Sequence, residues 1–415
     1  GAQGTNAFTS FDQTCYVEDI PANEIENWLK VESDRFQNMV IRGFHTELEA
    51  VYEEYNMYSA KDEDKFVNAF FAKLFPNHPY GTQTTIGRPE HLKNPSIKNI
   101  ENYCRRYYVP NNVAICMSGD LDPDETVRII EKYFGDWQPS DSLPKRIFPQ
   151  EKPLEAPVSV DVVGMETPMV ALGWRLPAKA DPQYGIMSVV QQILTNGKCG
   201  LFDENLNNAQ QVMQAMTFLD GMTDQSAFWA IGCPKEGQSL EEVRDLMLSQ
   251  VRLLAGGEWD ESLLKGILNN MKRRQLEDMQ SNEMRAHRFV DAFVSGQEWA
   301  DAVGEMQRLD TLTKKTVVDC ARRMLTEGYG CVYKRQGTDT TAQKIDKPKI
   351  SPIETNRDQV SAFVDSVLKM PVAEVEPVFV DFSREIQTGK LTGGNELITH
   401  RDINSRLFSL TFVIE

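Results

Sequence analysis

A chain of 415 residues is too long for one hydrophobic core of ordinary size, so two or more domains are expected. At 41% hydrophobic and 25% charged it has the composition of a globular protein, and no stretch reaches the roughly 18 apolar residues needed to span a bilayer. The formal net charge of −17 is spread along the chain without a basic stripe, which argues against nucleic acid and leaves a surface charged for solubility, with a mild preference for basic peptides.

The first predicted element is a strand-like stretch, Thr5 to Val17, rich in Thr and aromatics. A helix begins near Pro21, with Ile25, Trp28, Leu29 and Phe36 at helical spacing. A second helix carries Phe44, Leu48, Val51 and Tyr55 as one buried stripe, and a third carries Phe66, Phe70, Phe71 and Leu74. The third stops at Pro-Asn-His-Pro-Tyr-Gly, residues 76–81. A fourth helix (Ile97, Ile100, Cys104, Tyr107) leads through Pro110-Asn111-Asn112 into an apolar strand at Val113–Met117, and a last helix ends at Tyr133–Trp137.

Residues 138–157 carry prolines and mixed charge without periodicity and read as a linker between domains. Strands follow at Val158–Val163 and Met169–Leu176, then a helix over Ile186–Leu194, then strands near Gln211–Leu219 and Ala227–Gly232. Ser239-x-x-Glu242 is a capping box. Helical patterns fill 260–295 and 314–325, and the unit closes on a strand at Gly330–Lys334. After a second Pro- and charge-rich stretch, with a short amphipathic piece at Val360–Leu368, an alternating strand starts at Asn404.

Both units finish in the same way. Cys104-Arg105-Arg106 ends a helix before the strand at 113–117, and Arg322-Arg323, just after Cys320, ends one before the strand at 330–334. That echo is what related modules of one repeat would give. The partition is therefore 1–137, the remainder of a first module; 138–157, a linker; 158–337, a second module; 338–385, a linker between halves; and 386–415, the first hairpin of a third module. On this reading the chain is cut at both ends.

The seven cysteines are odd in number, widely spaced and set mostly among apolar neighbours. No C-x-x-C pair occurs, which argues against a zinc knuckle or a thioredoxin-like site and suggests buried reduced thiols. Glu47 and Glu54, seven residues apart, lie on one helix face that borders the apolar stripe, so partial burial is expected. A partly buried carboxylate pair must be hydrogen-bonded, protonated or metal-bound. The competing reading is an ordinary solvated acidic face.

The residues around that helix resemble the pitrilysin/insulinase family of zinc peptidases, to which mitochondrial processing peptidase belongs. Gly4-Thr5-Asn6-Ala7-Phe8-Thr9-Ser10, with Asp12 and Thr14-x-Tyr16, is similar to the strand that follows the family's H-x-x-E-H helix. Glu47-x-x-x-Val51-x-x-Glu54 resembles its downstream helix. Pro79-Tyr80-Gly81, Tyr107–Asn112, Gly119-Asp120, Tyr133–Trp137, Gly173-Trp174 and Gly200-Leu201-Phe202 recur in family order. The resemblance implies an α+β fold of repeated two-layer modules, mostly antiparallel sheet packed with helices.

It also implies a zinc endopeptidase acting on unfolded peptides or presequences. Glu54 would be the distal metal ligand, Glu47 a carboxylate that orients a ligand, and Asn6, Ala7, Phe8, Thr9 and Ser10 an edge strand to which peptide adds by β-augmentation. The five histidines depart from the pattern: no two stand four apart with a glutamate between, and His45 is expected at the surface and His78 in the turn before Tyr80. Zinc thus belongs to the complete protein, and the chain alone should be inactive. Its partners would be peptides, the upstream segment, and a second half or partner subunit. The alternative is a non-catalytic scaffold or partner subunit of the same fold. Any targeting segment would lie upstream, so the sequence leaves bacterial periplasm and cytoplasm both open.

Overall fold

The computed structural model describes residues 2–93, 95–145, 147–149, 151–339, 354, 356, 358–403 and 405–414. Residues 340–353, 355 and 357 of the second proline-rich stretch, and Asn404, where the last strand was expected to start, lie outside the described residues. The opening stretch is a hairpin rather than one strand: β1 (Gly4–Thr9) and β2 (Thr14–Asp19) pair antiparallel across the turn Ser10–Gln13. After a 3₁₀ turn at Ala22–Glu24 come α1 (Ile25–Gln37) and α2 (Phe44–Ala60). Gly43, at φ +61°, begins α2 in the left-handed region that glycine adopts without strain.

Helix α3 (Asp62–Leu74) buries Phe66, Phe70, Phe71 and Leu74, as their spacing predicts. Short helices α4 (Pro79–Thr82) and α5 (Pro89–Lys93) lead to α6 (Ile97–Tyr107) and α7 (Pro123–Phe134). The strand expected at 113–117 does not form. Val113 has extended backbone angles, but the segment pairs with no other strand among the described residues. Its apolar residues supply strand propensity, and a strand also needs a neighbour to bond.

The next unit is built on a five-stranded sheet. Its strands are β3 (Val158–Gly164), β4 (Met169–Leu176), β5 (Gln214–Asp220), β6 (Ser226–Cys233) and, far along the chain, β7 (Gly330–Gln336). Their order is β3-β7-β4-β6-β5, antiparallel except between β3 and β7. One face of β4, with Val170, Leu172, Trp174 and Leu176, packs into a core with α8 (Pro182–Leu194), α9 (Leu240–Gly256) and α10 (Glu261–Asp278). Helix α9 starts at the expected capping box, with both Ser239–Glu242 bonds made. The helical pattern over 260–295 breaks at Met279–Ser281 into α10 and α11 (Asn282–Ser295), and α12 (Trp299–Leu309) precedes α13 (Lys314–Met324).

The opposite face of this sheet receives α3, whose Phe66, Phe70 and Leu74 meet Ala171, Trp229 and Val332. Gly173 permits that approach, since a Cβ there would stand 2.3 Å from the Phe70 ring. The start of α3 is latched to the same sheet. Lys334, 1% exposed, donates to the Thr167 carbonyl (3.0 Å) and lies 3.5 Å from Asp62, whose carboxylate accepts from the Glu166 N–H (2.7 Å). The expected linker is clamped as well: Glu151 is buried, accepts from the Asn77 N–H at 2.6 Å and lies 3.6 Å from Arg175.

Toward the C-terminus, α14 (Ala362–Leu368) and α15 (Phe382–Glu385) precede a hairpin of β8 (Ile386–Lys390) and β9 (Glu396–His400). The alternating segment that follows, 405–414, forms no strand, and Phe408 to Ile414 carries exposed apolar side chains. All seven cysteines are free. Cys320 and Cys331 are buried as expected, but Cys199 is exposed and the others are half-buried. The architecture is thus α+β, with mostly antiparallel sheet covered by helices.

Candidate functional site

Among the described residues, strand β1 pairs with β2 alone, and all six of its own residues are exposed. The Ser10 N–H donates to the Gln13 carbonyl, and alternation down the ladder leaves the N–H groups of Thr5, Ala7 and Thr9 on the free edge. The Asn6 side-chain oxygen caps one of them, accepting from the Ala7 N–H at 2.8 Å. An extended peptide can bond to such an edge through its backbone alone, whatever its sequence.

The hairpin turn that carries this edge is held by a buried polar junction. Tyr80 Oη donates to the Asp12 carboxylate (2.8 Å) and accepts from the Asp224 N–H (3.1 Å). The same Asp12 carboxylate accepts from the Thr223 N–H (2.9 Å), so the β1–β2 and β5–β6 turns are tied to one another. His78, 2% exposed, accepts from the Tyr80 N–H at Nδ1. Its Nε2 therefore bears the proton in the neutral ring and donates to Asp224, 3.2 Å away. Burial pushes the Tyr80 hydroxyl far above the usual phenol range, which keeps it a donor. His78 does sit in the turn before Tyr80, but its place in a junction between distant turns has no local sequence signal.

Behind the hairpin lies a cleft of about 1580 Å³, lined by Asn6, Thr9 and Ser10, by β2, by residues 113–121 and by one side of α11. Tyr16 and Tyr108 share a hydrogen bond at its wall (2.9 Å), and the Arg35 guanidinium lies 4.6 Å from the Tyr16 ring centre. Burial, then the neighbouring Glu32, pushes the Glu18 carboxyl up, while Arg35 opposes them.

Helix α2 does not join this site. Neither Glu47 nor Glu54 lines the cleft, and both are exposed, contrary to the partial burial expected from the apolar stripe. The stripe of Phe44, Leu48, Val51 and Tyr55 is itself only half-buried; α2 sinks Tyr52 instead, so the face carrying the glutamates stays in water. His45 is half-buried beside Phe44 rather than fully at the surface. Zinc requires three or four convergent donors. Among the described residues no group of three or more His, Cys, Asp or Glu is placed to hold a metal, so the residues present do not fit the ion. No described helix is long and apolar enough to cross a membrane.

Residues 96–271 match the family model described as the peptidase M16 inactive domain. An uncharacterized zinc protease of Mycobacterium leprae is 24% identical over 336 residues, covering 78% of this chain and 74% of the relative. Among solved structures, a protease from Helicobacter pylori superposes with a TM-score of 0.75 at 21% identity, over 80% of this chain and 82% of that one. The first half of the periplasmic protease PqqL from Escherichia coli gives a TM-score of 0.63 at 14% identity, over 91% and 82%.

Proposed function

The chain belongs to the M16, or pitrilysin/insulinase, peptidase family, and on that premise we propose that it is the peptide-holding part of a zinc endopeptidase of unfolded peptides. The observation that carries the reading is the free edge of β1, six exposed residues long and anchored through Asp12 and Tyr80. A substrate strand adds to Thr5, Ala7 and Thr9, displacing the Asn6 side chain from the Ala7 N–H. Backbone pairing of this kind selects an extended chain rather than a folded one. In this reading Glu54 is the distal zinc ligand and Glu47 orients a ligand, with the imidazoles and the water-activating glutamate contributed from outside the sequence given.

A second reading, a non-catalytic partner of the same fold, is favoured by the matched model's inactive-domain description. Both readings keep the peptide edge. They differ in zinc, so a zinc titration of the full-length protein, compared with its Glu54→Gln variant, separates them.

The edge itself is tested by fluorescence anisotropy with a labelled unfolded peptide. Ala7→Pro removes one outward N–H and leaves the β1–β2 ladder intact, because that N–H is not a ladder donor. Binding should weaken at least about tenfold, the cost of losing one or two backbone bonds. Unchanged affinity in Ala7→Pro would discard β1 as the docking edge.

A further inference from the structure

Strand β5 is the outermost strand of the second sheet, bonded to β6 alone among the described residues, as β1 is bonded to β2. Each is the first strand of a hairpin. An outermost strand offers a row of backbone groups to any extended chain, so both are potential docking edges. Their side chains treat those groups very differently.

On β5 the Asn207 amide spans both backbone groups of Ala215. Its Nδ2 donates to the Ala215 carbonyl (2.8 Å), and its Oδ1 accepts from the Ala215 N–H (2.7 Å). That is the pair of bonds that one residue of an added antiparallel strand makes. Alternation puts Thr217 on the same side of β5, and its carbonyl accepts from Gln191 Nε2 of α8 at 2.9 Å. Ala215 is 1% exposed and Thr217 4%, so this edge is shut off from water.

The segment before β5 is shaped to hold that amide in place. Asn207 sits in a π-helical turn, Asp203–Asn208. The Ala209 N–H donates to the Glu204 carbonyl (3.2 Å) and the Gln211 N–H to the Leu206 carbonyl (2.8 Å), each five residues back. Such turns are rare and recur at functional positions. This one is pinned on two sides. The buried Asp203 carboxylate accepts from the N–H groups of Asn196, Gly197 and Gly200, and Asn205 Nδ2 donates to Gln250 of α9 at 2.7 Å.

Counting bonds separates the two edges. A guest strand at Ala215 breaks two bonds to make two, and it also loses its freedom on association, so nothing favours its entry. On β1 the Asn6 side chain takes a single N–H, that of Ala7, and all six residues are exposed. A guest there makes more bonds than it displaces.

We propose that Asn207 is the residue that shuts the second sheet to peptide and so confines strand addition to β1. The proposal rests on the reading of β1 as the peptide edge. Removal of the Asn207 amide leaves both backbone groups of Ala215 without their partner and turns β5 into a second docking edge.

Amide hydrogen exchange tests this, with and without the labelled unfolded peptide, on the parent chain and on Asn207→Ala. In the parent the Ala215 amide should exchange slowly whether or not peptide is present. In Asn207→Ala the free chain should exchange it at least about tenfold faster, and excess peptide should slow it again. Circular dichroism checks the fold. Asn207→Leu, which matches the side chain in size without its polar atoms, takes the place of Asn207→Ala if the truncation unfolds the chain. A parent chain whose Ala215 amide exchanges as freely as that of Ala7 overturns the proposal before any substitution is made. So does a folded variant whose Ala215 amide stays slow, or one whose fast exchange the peptide does not slow. The β1 reading fails at other amides: Thr5, Ala7 and Thr9 left unprotected by peptide in the parent would discard β1, and the Ala215 result would stand apart from it.

Discussion

The two sheets use similar parts to different effect. In the second, β4 is bonded on both edges and covered on both faces, and most of its residues are buried. In the first, β1 is exposed along its whole length and β2 is half-buried, with an open cleft beyond it. The contrast separates stability from function. A sheet closed on all sides supplies the core, and an edge left open supplies backbone groups for a guest strand.

The largest expected effect breaks that contrast in the core. Leu172→Ala, in fully buried β4, should cost about 2–5 kcal/mol in denaturant unfolding, whereas Val113→Ala, in the unpaired segment, should cost under about 1 kcal/mol. Equal costs would mean the first sheet is packed as tightly as the second. Next comes the junction that joins the two hairpin turns. Tyr80→Phe deletes the donor to Asp12 and the acceptor of the Asp224 N–H, and should cost about 1–3 kcal/mol. Peptide affinity should fall with it if the turn aims the β1 edge, and should stay put if the junction only adds stability.

A third prediction concerns pH. Burial pushes the Asp220 carboxyl, at the end of edge strand β5, up to about 6. A carboxyl whose folded pKa exceeds its unfolded value contributes stability that is fully present below pH about 4 and is lost as pH rises through about 6. Asp220→Asn should remove a change of about 3 kcal/mol from the stability profile between those values. A profile unchanged by the substitution would show that Asp220 is solvated. The smallest effect belongs to α2. Glu47→Gln and Glu54→Gln are surface changes, each expected to shift stability by less than about 0.5 kcal/mol. A larger shift in either would place that carboxylate in contacts its exposure does not suggest.

Much of the fold could be read from the sequence where one element decides its own state. The Phe66–Leu74 spacing, the Ser239–Glu242 box and the apolar run of β4 each carry their answer locally. Elements that need a partner could not be read in the same way. Residues 113–117 and 407–412 have strand composition, yet strand formation depends on a neighbour at bonding distance, which no window of sequence contains. The edge Asn6–Ser10 was legible as a strand beside a turn, but its turn is aimed by His78, Tyr80 and Thr223, which meet only in the folded chain. The α2 glutamates were misjudged for burial because the apolar stripe predicts a face, while the depth of that face is set by what packs on it.

Amide hydrogen exchange along β1 tests the central claim most directly. With a saturating unfolded peptide, Thr5, Ala7 and Thr9 should become protected while Phe8, already in the β1–β2 ladder, changes little. Protection elsewhere on the molecule, with those three amides still exchanging freely, would contradict the account.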